Sequence, residues 1–308
     1  MNANEVIANR ATELLGGELG SKLVHPNDHV NAGQSSNDTI PTAIHVAAVA
    51  GIEADLLPAL DRLADALAAK ADEFDHILKS GRTHLMDATP VRLGQEFGGY
   101  ATQVRNGADR VRKVLPELYE LALGGTAVGT GINAPEGFPA ATIGAMARRS
   151  GYGFVEAPNH FEAQAAKDAA VNASGALKTV AVSLFKIVND LRWMSSGPRT
   201  GIAEIKLPSL QPGSSIMPGK LNPVMCESAM QVSARVMGND QVVSVSGAVG
   251  GQFQLNIMMP VMGHATLESI GLLTGVTNAF VEFCVEDMQA NEEACEAAVE
   301  QSLSMVTS

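Results

Sequence analysis

Long apolar stripes at helical spacing are the feature that most constrains the fold of this chain. Apolar residues recur at multiples of three or four along three stretches, which places them on one narrow face of a helix in each case. A spacing close to 3.5 residues is typical of helices that pack in bundles. We therefore predict an all-α protein built on long helices. The stripes are Leu56, Leu60, Leu63, Leu67, Phe74 and Leu78; Phe97, Val104, Ala108, Val111, Leu115, Leu118 and Ala122; and Ala173, Leu177, Val180, Leu184, Ile187 and Leu191.

The remainder of the chain agrees with this fold class. Two more helices are predicted over about 223–246 and 260–283, and a last one near the C-terminus. No segment shows the clean alternation of apolar and polar residues that a half-buried strand needs. No repeat or Pro/Ser linker divides the chain, so we predict one central helical domain over residues 1–308. Stripes this long would expose apolar surface on a single chain, which favours an oligomer formed through the bundle.

The composition excludes several classes of protein. A formal net charge of −12 disfavours binding to nucleic acid or to an anionic membrane surface. No apolar run approaches the ~18 residues of a membrane span, and the N-terminus lacks the pattern of a secretory signal. The chain has three cysteines and no CxxC pair, which argues for a reducing compartment. We expect a cytoplasmic protein, in which any site for a dianion is built from local donors.

Residues 211–227 break the helical pattern and carry the densest chemistry in the chain. Their glycines suggest a phosphate-binding loop at first sight. That interpretation fails because five residues, instead of four, separate Gly213 from Gly219. It also fails because Leu221 stands where a serine or threonine would coordinate magnesium. No dinucleotide fingerprint occurs elsewhere, so we expect no nucleotide or organic cofactor.

The same segment has the residue types that bind a carboxylate. Ser214 and Ser215 supply hydroxyl groups on a loop that its glycines allow to bend. Lys220 and Asn222 supply a cation and an amide, and both suit a carboxylate ligand. Considered alone, the segment is more typical of a flexible surface loop.

Two other segments, residues 25–42 and 80–95, also interrupt the helical pattern. The first contains a Gln-Ser-Ser-Asn-Asp run, which in most proteins is a turn or a helix N-cap. The second contains Arg-Thr-His-Leu, where a lone histidine is more often a satisfied polar residue than a catalyst. A metal site at His25 and His29 is disfavoured because Pro26 prevents a helix that carries both rings on one face. These residues form no zinc pattern, and we expect no metal.

Together and in this order, the three segments resemble the three active-site regions of the aspartase/fumarase superfamily. The third segment, Gly-Ser-Ser-Ile-Met-Pro-Gly-Lys-Leu-Asn-Pro, is similar to the signature of that superfamily. The resemblance extends over essentially the whole chain. It implies an all-α central domain of the aspartase/fumarase type that assembles as a homotetramer around a helical core. It further implies that each active site draws its three regions from three different subunits.

The resemblance also implies catalytic roles. Ser215 corresponds to the base that removes a proton from the carbon next to a carboxylate. Lys220 and Asn222 correspond to the groups that hold the substrate carboxylate and the doubly charged aci intermediate. His84 corresponds to a histidine that is paired with a glutamate, here Glu227, and this pair holds substrate or water. The resemblance settles the base more firmly than it settles the general acid.

Substrate-binding roles follow in the same way. Thr83 corresponds to a residue that acts beside His84, and the first segment contributes hydroxyl and amide groups. A second anion site, distinct from the active site, is implied at the start of that segment. The implied substrate contacts are Ser35, Ser36 and Asn37, and the implied second anion site is His25, Asn27 and Asp28.

Three positions favour a class II fumarase, which interconverts fumarate and L-malate, over an aspartate ammonia-lyase. His84 stands where aspartases typically carry glutamine, Gly219 where they carry alanine, and Ser36 where they carry threonine. An inactive truncated scaffold is a further alternative, and the intact catalytic positions argue against it. Two departures from the common pattern are Met86 in place of glutamine and Gln254 in place of glutamate.

Superfamily members carry a mixed N-terminal domain and a small C-terminal helical domain around the central one. We expect this chain to lack both. Because the N-terminal domain ends in a loop that contacts substrate, we also expect the chain on its own to have impaired activity.

Overall fold

The computed structural model of the chain describes residues 2–211, 213–214, 216–217 and 219–303. Most of these residues are helical, which confirms the predicted fold class. The helices are α1 (Asn2–Leu14), α2 (Ser36–Gly51), α3 (Leu57–Glu73), α4 (Leu93–Tyr119), α5 (Phe138–Ser150), α6 (His160–Ala165), α7 (Asp168–Met194), α8 (Val224–Gly250), α9 (Met259–Phe280) and α10 (Glu292–Gln301). The strands are β1 (Leu78–Thr83), β2 (Met86–Arg92), β3 (Glu120–Leu121), β4 (Val155–Glu156), β5 (Ile205–Lys206), β6 (Gly251–Gln252), β7 (Leu255–Asn256) and β8 (Gln289–Ala290). Short π-helical turns are formed by Pro26–Val30, Ile52–Leu56 and Val281–Val285.

The chain divides into two compact units, each made of three separate stretches. The first unit comprises Met1–Val49, Leu115–Val171 and Val243–His264. The second unit comprises Ala50–Val114, Asn172–Val242 and Ala265–Ser308. Several of the dividing points lie inside long helices, so no linker in the sequence marks them. The prediction of one helical domain over residues 1–308 stays a prediction.

The apolar stripes form the core, as predicted, with one exception. In the second unit, Leu60, Leu63 and Leu67 of α3 are fully buried, and Phe97 of α4 meets the Phe74 ring edge to face at 5.2 Å. The stripe of α7 is buried along its whole length. The assignment of Leu78 to the first stripe is wrong, because this residue begins β1 and its side chain is 56% exposed.

An antiparallel hairpin of β1 and β2 occupies the segment that interrupts the helices between α3 and α4. The pairing runs from Leu78 opposite Arg92 to Thr83 opposite Met86, with an irregularity between Ser80 and Gly81. Because of this irregularity, burial along β1 does not alternate, which explains why the sequence showed no strand pattern. A Cβ atom at Gly81 would collide with the Thr89 carbonyl oxygen, so this close approach of the strands requires glycine.

Two helical stretches, Ser36–Glu73 and Asp168–Met194, are long and apolar enough to cross a membrane by length and composition alone. Core helices of soluble proteins pass the same test. In the second stretch, 56% of the most apolar window is buried inside the protein, as in a core helix. No membrane assignment follows from either stretch.

The partly exposed imidazole of His45 predicts that acid destabilises the first unit. The pKa of His45 is lowered from 6.5 to about 4, because burial and the charge of Lys167 outweigh the opposing effect of a hydrogen bond from Nδ1 to the Glu120 carbonyl. Between pH 6.5 and about 4, the unfolded chain therefore binds a proton that the folded chain does not. We expect the free energy of unfolding to be undiminished above pH 6.5 and to fall as the pH is lowered through this window.

Chemical denaturation at pH 7 and pH 5 would measure this effect. Replacement of His45 by glutamine should remove part of the pH dependence, because glutamine can donate to the Glu120 carbonyl but does not titrate. The exposed His76 provides a control for the change of residue type, and the loss of pH dependence should be larger in the His45 variant. An equal response of the two variants would contradict the prediction.

Candidate active site

The second anion site predicted at His25 forms a compact turn in the first unit. Nδ1 of His25 accepts the backbone N–H groups of Asn27 (3.3 Å) and Asp28 (3.2 Å) and thereby caps the π-helical turn that follows. The backbone N–H of His25 donates to Nδ1 of His29 at 2.9 Å. Both rings are thus engaged with the backbone. Among the described residues, no group of three or more His, Cys, Asp or Glu side chains is arranged to hold a metal ion.

The predicted substrate contacts Ser35, Ser36 and Asn37 lie at the start of α2. Ser35 is the N-cap: its Oγ accepts the Asn37 N–H at 3.2 Å. The Asn37 side-chain amide donates to the Ala127 carbonyl at 2.8 Å, and the Ser36 hydroxyl lies 3.4 Å from Asn37 Oδ1. These bonds attach the polar end of α2 to the glycine-rich loop that begins at Gly124.

Asp38 is a residue of this region that the sequence reasoning missed. Its side chain is fully buried, and its carboxylate accepts the backbone N–H groups of Ser35 (2.9 Å), Gly124 (3.0 Å) and Thr126 (2.9 Å). Charge-assisted bonds of this kind offset the cost of burying a carboxylate. A signal was present, since Ser-x-x-Asp at a helix start is a capping-box pattern.

The first unit also contains a polar cavity of about 350 Å³ that joins the two parts of the first segment. Asn27 and Asp28 line it from the π-helical turn, and Ser35 lines it from the start of α2. Thr126 and Asn133 of the glycine-rich loop complete this wall. The structure therefore brings residues of the predicted anion site and a predicted substrate contact to the same cavity.

Thr83 and His84 lie at the tip of the β1–β2 hairpin in the second unit, and both are exposed. His84 and Leu85 form the two-residue turn, with φ angles of +56° and +61°. A two-residue hairpin turn of type I′ requires positive φ angles at both of its central residues. Such angles are strained for residues other than glycine or asparagine, and strain of this kind is common at functional sites.

Lys220, Asn222 and Glu227 of the third segment line one cavity of about 560 Å³ in the second unit. The loop that carries Lys220 closes on itself, since the Gly213 N–H donates to the Lys220 carbonyl at 2.8 Å. Glu227 lies in the first turn of α8, where the helix N-terminus favours a carboxylate. A cation, an amide and a carboxylate thus line one cavity. Ser215, the predicted base, lies outside the described residues.

Other cavity residues were not singled out from the sequence. Arg192 and Trp193 come from the C-terminal end of α7, Lys206 from β5, and Asn291 from the residue before α10. These residues line the cavity because segments far apart in the chain pack together. The sequence contained no signal for that packing.

The pair predicted between His84 and Glu227 is not formed within one chain. The described residues contain no hydrogen bond or ion pair that joins these two side chains, although both belong to the second unit. The role of this pair therefore stays a prediction.

A family model described as lyase matches residues 1–238, a range that includes all three segments of the candidate site. The chain belongs to this lyase family. Within the lyase family, the chain is similar to fumarate hydratases, which confirms the resemblance to class II fumarases. It is 56% identical to a mitochondrial fumarate hydratase of Rhizopus oryzae over 308 residues, which are 100% of this chain and 62% of that protein.

Two further relatives in the lyase family agree. A class II fumarate hydratase of Caulobacter vibrioides is 54% identical, over 100% of this chain and 66% of its own length. The crystal structure of a recombinant class II fumarase from Schistosoma mansoni matches with a TM-score of 0.95 and 41% identity, over 99% of this chain and 67% of that chain. This chain spans slightly less than two thirds of the length of the curated relatives that it matches.

Proposed function

We propose that the protein is a fumarate hydratase, which interconverts fumarate and L-malate by anti addition and elimination of water. The observation that carries this proposal is the convergence of Lys220, Asn222 and Glu227 on one cavity. A cationic ammonium group and a neutral amide are suitable donors for the carboxylates of a dicarboxylic acid. The fumarate hydratases to which the chain is similar supply the substrate part of the proposal.

The main chemical difficulty of this reaction is the weak acidity of the C–H bond next to a carboxylate. Ser215 takes the C3 proton of malate, and the electron pair of the C–H bond passes into the adjacent carboxylate, which becomes a doubly charged aci form. Lys220 and Asn222 donate to the oxygens on which this charge develops. Donors arranged in advance for such a charge are usually the largest single contribution to catalysis.

The second step expels the hydroxyl group on the neighbouring carbon as water. The aci carboxylate returns its electron pair to form the double bond of fumarate, and the departing hydroxyl takes up a proton. His84, with Glu227 as its partner from another subunit, holds this water and supplies or orients its proton. Thr83 beside it, and Ser35, Ser36 and Asn37 from the start of α2, hold the substrate. His25, Asn27 and Asp28 form the second anion site.

Two alternatives make different predictions in one assay. An aspartate ammonia-lyase would consume fumarate only with ammonia, and an inactive scaffold would not consume it at all. We expect loss of fumarate absorbance in the ultraviolet without ammonia, with L-malate as the product. An absolute requirement for ammonia would contradict the proposal. The relatives favour neither alternative.

The assay compares this chain with a form extended by the segments that its longer relatives carry. The extended form should turn over fumarate at least ~10²–10³-fold faster, because removal of one well-placed donor to a developing negative charge has an effect of this size. Equal rates in the two forms would show that the additional segments contribute no group to the active site.

We further propose a homotetramer assembled through the long helices, located in the cytoplasm. All three cysteines are buried free thiols, as is usual for a reducing compartment. Val182 on α7 lies opposite the buried stripe of that helix and is 50% exposed, and Val249 on α8 is exposed as well. Apolar residues on such helix faces are typical of subunit interfaces.

Replacement of Val182 by aspartate should shift the sedimentation of the protein from tetramers to smaller species. The reason is that a buried, unpaired carboxylate in the interface is costly. Val155 provides a matched control because the same residue type is 51% exposed on the short strand β4. Its replacement by aspartate should leave the tetramer intact. A stable folded monomer of the unmodified protein would refute the assembly.

A further inference from the structure

Glu204 is a buried carboxylate that lies outside the three segments of the candidate site. Its side chain is 0% exposed. Oε1 accepts a hydrogen bond from the Arg82 guanidinium at 2.5 Å, and Oε2 lies 2.8 Å from Nζ of Lys79. Both cations belong to β1, the strand that leads directly to Thr83 and His84. One buried carboxylate therefore holds that strand at two points, and the second point is adjacent to Thr83.

The charge of Lys79 depends on this arrangement. The side chain is 4% exposed, and Nζ also donates to Oε2 of Glu96 at 2.7 Å. Burial acts to lower the pKa of Lys79, but the carboxylates of Glu96 and Glu204 outweigh burial and raise it above its ordinary value. A buried cation that loses such a partner destabilises its surroundings strongly. Strand β1 is therefore held in a position where its cations meet these carboxylates.

Glu204 lies between Ala203 and Ile205, two residues that line the larger cavity. Its N–H donates to the Met194 carbonyl at the end of α7, and its carbonyl accepts the Asn291 N–H just before α10, both at 2.8 Å. The Asn291 side chain donates to the carbonyl of the preceding residue, Ala203, at 2.8 Å. Asn291 and Ala203 line the cavity together with Lys220. Glu204 thus bonds through its backbone to Asn291, which lines the cavity, and through its side chain to the hairpin.

We propose that Glu204 is a positioning residue that fixes the hairpin tip, with Thr83 and His84, relative to the wall of the cavity lined by Lys220. An isolated two-stranded hairpin is marginally stable, and this one ends in two residues with left-handed backbone angles. The ion pairs to Arg82 and Lys79 attach the hairpin through its charged side chains, in addition to the packing of β1 against α10. The catalytic importance of this attachment rests on the proposed function, whereas the attachment itself does not.

Replacement of Glu204 by glutamine tests the attachment through hydrogen–deuterium exchange of the hairpin amides. Glutamine keeps the size of the side chain and removes its charge. Amides at the hairpin tip, residues 83–86, should exchange about tenfold faster or more, because local opening is governed by the interactions that close the segment. The matched control is Asp240→Asn, a change at a second buried carboxylate of the same unit, which is bonded to Lys178 (2.6 Å) and Ser174 (2.9 Å). This control should not change exchange at the tip.

The catalytic arm measures kcat and KM in the extended form at a temperature where every variant is folded. Glu204→Gln should lower kcat by about 10²-fold, since a displacement of about 1 Å in a reacting group has an effect of that order. The KM of Glu204→Gln should change much less than its kcat. For Asp240→Asn, both kcat and KM should stay within about threefold of the values of the unmodified protein. A general loss of stability would accelerate exchange throughout the protein and not only at the hairpin tip. It would also not lower kcat while leaving KM nearly unchanged.

The outcomes are distinguishable. Unchanged tip exchange in folded Glu204→Gln overturns the attachment, whatever the protein catalyses. Faster tip exchange with unchanged kcat overturns the positioning role. If the unmodified protein does not hydrate fumarate, the proposed function fails, and tip exchange still decides the attachment.

A second pair of variants serves if Glu204→Gln does not fold. Arg82→Gln removes one ion pair and leaves the pair between Lys79 and Glu204 in place. It should accelerate exchange at the tip, whereas Arg82→Lys, which keeps the charge, should retain most of the protection. Equal protection in Arg82→Gln and the unmodified chain would overturn the proposal.

Discussion

Replacement of Ser215 by alanine should lower kcat for the dehydration of malate by about 10²–10⁴-fold, the usual contribution of a positioned general base. A C–H bond next to a carboxylate is only weakly acidic, so abstraction of this proton is the most difficult step. Removal of the base slows that step. Substrate affinity should change little, because Lys220 and Asn222 remain to hold the carboxylates. The measurement is steady-state kinetics combined with exchange of the C3 proton of malate in D₂O, which reports proton abstraction independently of water loss.

Ser214 is a control adjacent in sequence and identical in type. Its Oγ accepts the backbone N–H of Ile216 at 3.1 Å and that of Met217 at 3.4 Å, so it supports the turn of the loop. Ser214→Ala removes these bonds, each worth about 1 kcal/mol, and should reduce kcat by about tenfold or less. If Ser214→Ala is as damaging as Ser215→Ala, or if C3 exchange survives in Ser215→Ala, then Ser215 is not the base.

Mixed tetramers of His84→Asn and Glu227→Gln chains should recover activity that neither variant has alone. Each variant should lose about 10²-fold in kcat, because the pair acts as one unit in holding the reacting water. The double variant should be little worse than either single one. The superfamily resemblance implies that the proposed pair combines residues from two subunits, and the described residues contain no ion pair between His84 and Glu227 of one chain.

The expected recovery of activity equals the fraction of active sites in mixed tetramers that contain both native residues. With equal amounts of both variants and random assembly, about a quarter of the sites receive a native His84 from one subunit and a native Glu227 from another. The variants are unfolded together, refolded and assayed at the concentration that restores tetramers. A mixture of His84→Asn with the double variant contains no native His84 and should recover nothing. If the two single variants also recover nothing, the pair does not form between subunits.

The sequence was sufficient for the long helices α3, α4, α7, α8 and α9 because burial repeats locally, whereas α1, α2, α5 and α6 were not predicted. Side chains at positions such as Leu60, Leu63 and Leu67 lie on one face of any helix that contains them, so their spacing predicts both the helix and its buried side. The three segments of the candidate site were also identifiable, since each interrupts that periodicity with a group of residue types suited to carboxylate chemistry.

The end of the first stripe shows where local pattern failed. Leu78 continues the spacing, yet the helix ends at Glu73 because the chain makes bonds with residues further along. The Phe74 carbonyl accepts the Gly94 N–H at 3.1 Å, and the Ile77 carbonyl accepts the Leu93 N–H at 2.9 Å. These bonds connect the hairpin ends, and no property of residues 74–78 alone predicts them.

The tertiary structure alone decided which polar residues share a cavity and which carboxylates hold the elements that carry them. Lys220, Asn222 and Glu227 were predicted by type, but only the folded chain shows them around one cavity. Asp38 bonds to an amide 86 residues away, and Glu204 bonds to Arg82 across 122 residues. Helical periodicity is encoded within a few residues, whereas the partner of a buried charge is set by which distant segments pack against it. The sequence alone therefore determined the long helices and the candidate residue types, and the fold determined their arrangement.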